Sequence, residues 1–170
     1  MPNHCENKLT IQANSEEEVG LVRHYLGSLR TPNQDNNLNF MRLLPRPDDQ
    51  EENWYEWNIQ NWGTKWNCYD VVVSDIECPE YTLDQSVLTY NFQTAWSPMS
   101  DNLVLILSKE FPNVHITLYY SEPGMMFGGC TTAFGAGITN KDTWELNPCY
   151  EHYLYEGQDL LFQAKKEASE

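Results

Sequence analysis

The sequence predicts an α+β domain built on an antiparallel sheet of split βαβ topology (βαββαβ). Three observations predict it. Apolar and polar residues alternate with period two in segments 5–13, 85–93 and 114–120, as half-buried strands require. Two segments with helical spacing and clear start signals, at 15–29 and 97–110, divide the chain in the order strand, helix, strand, strand, helix, strand. The 170 residues, 41% of them apolar, suffice for one domain, 1–170, with a real core. Right-handed crossovers would place both helices on one face of the sheet.

In the first strand Cys5, Asn7, Leu9, Ile11 and Ala13 alternate with Glu6, Lys8, Thr10 and Gln12. Ser15-Glu16-Glu17-Glu18 is a capping box, in which Ser15 accepts from the Glu18 amide and the Glu18 carboxylate reaches back. The helix it opens carries Val19, Val22, Leu26 and Leu29 on one stripe, and Thr31-Pro32-Asn33 stops it. Residues 31–68 then read as an insertion too long for a plain connection. Its first part is polar and punctuated by proline around Leu38, Phe40, Met41, Leu43 and Leu44. Its second part runs through Trp54, Tyr55 and Trp57 to a connecting loop, Asn61-Trp62-Gly63-Thr64-Lys65-Trp66-Asn67.

Val71, Val72 and Val73 mark a strand over 69–77, paired antiparallel with 85–93 through a turn at 79–84. Ser97-Pro98 has the form of a helix entry, Ser97 as cap and Pro98 at the first helical position. The unbroken run 103–107 predicts a helix covered on more than one side, closed by Phe111-Pro112-Asn113. Val114, Ile116, Leu118 and Tyr120 form the next strand. After the tight turn Glu122-Pro123-Gly124, residues 125–138 read as one glycine-rich strand bulged at Gly128-Gly129. Trp144, Tyr150, Tyr153 and Tyr155 suggest a further strand or packed tail, and 158–167 a short helix. This order is the ferredoxin-like arrangement with an added C-terminal hairpin in an extension, 122–170. The face away from the helices would show Lys8, Thr10, Thr89, Asn91, His115, Thr117 and Tyr119, either solvated, covered by the insertion, or serving as a platform.

Charge limits the partners. The formal charge is −15, from 25 acidic against 10 scattered basic residues, so a duplex phosphate backbone would be repelled. The most acidic run, Asp48, Asp49, Glu51 and Glu52 followed by Glu56, reads either as a solvated loop or as a decoy for a partner that grips phosphates. No apolar run approaches the roughly 20 residues that cross a bilayer, and the first residues lack the form of a secretory signal. A cytoplasmic protein is expected. Five widely spaced cysteines without a Cys-x-x-Cys pair read as reduced thiols, and Cys149 with His152 supplies too few ligands for a metal site. No cofactor motif is present: the glycines at 128–137 lack the lysine of a phosphate loop, and no nucleophile elbow occurs.

Two readings compete at residues 61–67. Trp62, Trp66 and Trp96 could form a stacking platform oriented by Thr64, Lys65 and Asn67; alternatively the indoles pin the insertion to the sheet. Lys65 between two indoles is either a desolvated amine able to act as base or nucleophile, or a cation–π lysine on an aromatic surface.

Pro2-Asn3-His4-Cys5-Glu6-Asn7, Asn61-Trp62-Gly63-Thr64-Lys65-Trp66, Thr94-Ala95-Trp96-Ser97-Pro98 and the glycine-rich hairpin after Glu122-Pro123-Gly124 together resemble the YubB ferredoxin-like domain family over most of the chain. The resemblance implies a ferredoxin-like fold without an iron–sulfur cluster, carried by phages, plasmids and related mobile elements of bacteria. The expectation is then a non-enzymatic acidic binding protein that engages a host macromolecule, such as a nucleic-acid-binding or defence protein. The alternative is a small-ligand receptor or enzyme with a tryptophan-lined pocket at 61–67 and Trp96.

Overall fold

The computed structural model of the chain describes residues 3–27, 38–76 and 86–146. The expected stop at 31–33, the turn at 79–84, the aromatics beyond Trp144, the helix at 158–167 and the Cys149–His152 pair lie outside the described residues. The strands are β1 (His4–Ala13), β2 (Tyr69–Ile76), β3 (Ser86–Ala95), β4 (His115–Glu122), β5 (Phe127–Phe134) and β6 (Gly137–Glu145). The helices are α1 (Glu16–Leu26), α2 (Phe40–Leu43), α3 (Trp54–Trp62) and α4 (Asp101–Glu110), with a 3₁₀ turn at Asp48–Gln50. The six strands form one antiparallel sheet ordered β2-β3-β1-β4-β5-β6. Its first four strands have the ferredoxin-like order, with α1 and α4 as crossovers, and β5 and β6 extend it as a meander.

Strand alternation decides which face is buried. Tyr90 pairs with Leu9 and Leu9 with Leu118, while Leu88 pairs with Ile11 and Ile11 with Ile116. All six are fully buried on the face carrying the helices. Val19, Val22 and Leu26 of α1 and Leu103, Val104 and Leu107 of α4 close this core. On the opposite face the same register aligns Ser74, Thr89, Thr10, Thr117 and Thr132 in a row of hydroxyl residues across five strands. The short helices of the insertion pack against α1 and α4, in the helical layer, and do not cover this polar face.

Local chemistry explains where the elements depart from the sequence reading. Ser15 caps α1 as expected, accepting from the Glu18 amide at 3.2 Å. The cap of α4 is Ser100, whose hydroxyl accepts from the Leu103 amide. Ser97 lies three residues before that cap, outside the helix, and its carbonyl accepts from the Thr94 hydroxyl at 2.6 Å. Residues 125–138 are two strands joined at Gly135-Ala136, both left-handed with φ 64° and 65°, as a two-residue hairpin demands. The register is regular at Gly128 and Gly129, and the bulge falls between Thr132 and Ala133. Those glycines instead make room for rings: a Cβ on Gly129 would meet the Tyr120 hydroxyl at 2.3 Å and the Asp142 carbonyl at 2.7 Å, and one on Gly128 would meet the Trp144 indole nitrogen at 2.7 Å.

The hairpin is tied to α4 as well as to the sheet. Asp101, in the first turn of α4, accepts from the Thr131 hydroxyl at 2.7 Å and pairs with Lys141 of β6. The contact with Asp101 holds the Lys141 ammonium above its ordinary value. No described helix is long and apolar enough to cross a membrane.

Two predictions follow from this packing. Gly129→Ala should lower stability by about 1–3 kcal/mol through overpacking, measured as a reduced urea midpoint, because part of the obstruction is backbone. The second concerns Cys5 and Cys68, whose thiols burial pushes from 9.0 up to about 12. Between those values the unfolded chain loses protons that the native chain retains. Stability contributed by the buried thiols is therefore fully present below pH 9 and falls as pH rises from there toward 12. Urea midpoints measured between pH 8 and 11 should show this fall, and Cys5→Ala with Cys68→Ala should flatten it.

Candidate functional site

The motif at 61–67 begins as the last turn of α3. Trp62 is 2% exposed, edge-on to Phe40 at 6.1 Å and to Trp57 at 5.5 Å, and its indole N–H donates to the Leu44 carbonyl at 3.0 Å. Gly63 ends the helix in the left-handed region at φ 80°, and a Cβ there would crowd Ser100 and Pro98. The chain then turns onto the end of the sheet. The fully buried Thr64 hydroxyl donates to the Ala95 carbonyl at 2.9 Å and accepts the Ala95 amide at 3.1 Å. It thus completes the β3 ladder where β2, starting at Tyr69, has not yet begun. Ser100 joins α4 to the same junction: its amide donates to the Trp62 carbonyl at 2.9 Å and its hydroxyl to the Asn61 carbonyl at 2.8 Å. Asn67 accepts from the amides of Phe40 and Cys68 and donates to the Asn39 side chain at 2.6 Å.

These contacts correct the pocket reading. Trp62 and Thr64 are closed into the core, so they offer neither a stacking face nor an orienting hydroxyl to a ligand. Trp96 stands 47% exposed at φ 72°, its amide donating to the Asn3 carbonyl at 3.0 Å. Among the described residues no ring contact joins it to Trp62 or Trp66. Nor does any group of three or more metal-ligating side chains occur among them.

Lys65 and Trp66 face outward. The Lys65 ammonium lies 4.9 Å from the Trp66 ring centre and 5.9 Å from that of Tyr55, a cation–π arrangement on an aromatic surface. Its backbone is held from beneath, because buried Asn58 donates to the Lys65 carbonyl at 2.8 Å while accepting from the Arg46 guanidinium at 3.0 Å. Asn58 and Trp62 form the inward side of α3. Trp54, Tyr55 and Ile59 of the same helix remain exposed, Tyr55 at 45%, as does Trp66 at 37%. Asp48, Asp49, Glu51, Glu52 and Glu56 are all exposed on the 3₁₀ turn and the approach to α3. The structure therefore places the acidic run and an aromatic surface on one segment. It brings Lys65 and Trp66 to that surface and leaves Trp62, Thr64 and Trp96 outside it. Tyr55 and Ile59, four residues apart on α3, were not candidates from sequence; reading 54–62 as a helix would have exposed the pair.

The polar face of the sheet lacks a feature that base-stacking sheets need. The outward positions of the central strands β1 and β3 hold Glu6, Lys8, Thr10, Gln12, Val87, Thr89, Asn91 and Gln93, with no aromatic residue among them.

Thr64→Val keeps the shape of the buried side chain and removes the hydroxyl. It should cost about 1–3 kcal/mol, read as a lowered thermal or urea midpoint, because both Ala95 backbone groups lose their partner. Thr64→Ser should retain most of the stability.

Residues 61–152 match a family described as the ferredoxin-like domain in Api92-like protein, a span of more than half the chain. Among solved structures, the crystal structure of a protein api92 from Yersinia pseudotuberculosis superposes with a TM-score of 0.56 at 9% identity, covering 87% of this chain and 100% of that one. At that identity the likeness speaks for the fold alone. No curated protein matches. With the sheet order and the family match in agreement, the chain belongs to the family of ferredoxin-like domains of Api92-like proteins.

Proposed function

We propose that the chain is a non-enzymatic acidic binding protein that docks a basic protein surface on α3 and the turn before it. One observation carries the reading: the exposed aromatic and aliphatic residues Trp54, Tyr55, Ile59 and Trp66 stand beside the exposed carboxylates at 48–56. Aromatic residues that could have been buried are presented to solvent next to a charged rim, a composition typical of protein interfaces. The charge of −15 steers the chain toward cationic surfaces and away from nucleic acid. The fitting partner is a protein whose basic surface otherwise holds a phosphate backbone, and occupying that surface would block it. The YubB resemblance adds a source, a phage or plasmid, and hence a bacterial host protein of nucleic-acid or defence function as the target.

The test is affinity capture from host lysate with the native chain and with an Asp48→Asn, Asp49→Asn, Glu51→Gln, Glu52→Gln variant. The expected result is a basic protein that elutes with salt, binds the variant at least about ten-fold more weakly, and is bound by the chain in competition with duplex DNA. Capture that is insensitive to salt and to the substitutions would overturn the reading.

A further inference from the structure

We propose that Tyr55 and Trp66 form a recognition element for an arginine side chain of the basic partner, and that Lys65 is its built-in placeholder. The inference rests on the docking surface above and names what that surface reads.

Lys65 belongs to a chain with 25 carboxylates in Asp and Glu, yet among the described residues none lies within ion-pair distance of its ammonium. The ammonium instead rests on two exposed rings, 4.9 Å from Trp66 and 5.9 Å from Tyr55. The faces of these rings thus already hold a cation. The rings are supplied by a helix and by the segment after it, and Asn58 fixes the two together through the Lys65 carbonyl. The arrangement is therefore set by the fold. A guanidinium is planar and more weakly hydrated than an ammonium, so it stacks on such rings better than the lysine it would replace. Displacing the head of a partly exposed surface lysine is cheap, since it returns to water. The acidic rim attracts any basic segment, whereas the ring pair distinguishes arginine from lysine within it.

The test uses two synthetic peptides of equal length and charge, one with arginine and glycine alternating and one with lysine and glycine, titrated calorimetrically into the full chain at low salt. The arginine peptide should bind at least about five-fold tighter. Tyr55→Ala and Trp66→Ala should each erase that preference, and Tyr55→Phe should keep it. Lys65→Gln should strengthen arginine-peptide binding by about two- to five-fold. Lys65→Arg, which holds the place more firmly at unchanged charge, should weaken it. In the Trp66→Ala background the effect of Lys65→Arg should disappear. Thermal midpoints of these surface variants serve as the folding control.

Equal binding of the two peptides, or a preference that survives loss of both rings, would overturn the arginine element and leave the acidic docking surface standing. Failure of both peptides to bind at low salt would remove the docking surface itself. A Lys65→Arg variant that binds as the native chain does, while Lys65→Gln binds more tightly, would show simple charge repulsion and overturn the placeholder role.

Discussion

Two hydroxyl groups hold the insertion to the sheet and to α4. Thr64 acts as a rung of the ladder for Ala95, and the Ser100 hydroxyl caps α4 while donating to the Asn61 carbonyl in the last turn of α3. Both bonds sit where regular elements end and backbone groups would otherwise be orphaned. Hydrogen-bond satisfaction thus fixes where α3 lies, and burial of Trp62 against Phe40 supplies the driving force. Burial takes Asn58 and Trp62 in the later turns of α3, whereas Trp54 and Tyr55 stand a turn earlier and, with Ile59, stay exposed.

The sheet was legible because half-buried strands leave an alternating record. Every second residue is apolar from Leu9 to Ala13 in β1 and from Ile116 to Tyr120 in β4, and the pairing of Leu9 with Leu118 follows from that alternation plus the split βαβ order. The helix α3 was not legible, for a physical reason. Its buried positions include the amide Asn58 and its exposed positions include two aromatics and an isoleucine, so burial along it does not follow the usual apolar stripe. Ser97-Pro98 misled in a similar way, since a second capping residue, Ser100, follows three residues on and is the one whose hydroxyl takes the Leu103 amide. The glycines of β5 could be read as close-packed positions, but their partners could not: Tyr120 and Trp144 come from different strands, and the register that aligns them is tertiary.

The family match and the docking surface occupy different parts of the chain. The matched span begins at residue 61, inside the last turn of α3, and includes Lys65 and Trp66. The carboxylates at 48–56 and Tyr55 precede it. Membership therefore speaks for the sheet and for the junction that supports the surface. The charged rim belongs to this chain's own insertion. The central strand β1 also lies before the matched span, although β3 and β4 both pair with it. A piece cut to the matched residues would leave those two strands without the one between them.

That position of β1 has a consequence during synthesis. It is made before the other five strands of the sheet and must bridge the two halves, pairing with β3 as far on as Ala95 and with β4 as far on as Ser121. At about 5–20 residues per second, roughly 4–16 s separate completion of β1 from completion of β3. For that interval the apolar side of Leu9, Ile11 and Ala13 lacks both of its strand neighbours, and α1 is the first core element to follow it. The order of synthesis thus makes the most buried strand the one that waits longest for its neighbours, and it places the amphipathic helix next to it in sequence, where it can act as a temporary cover.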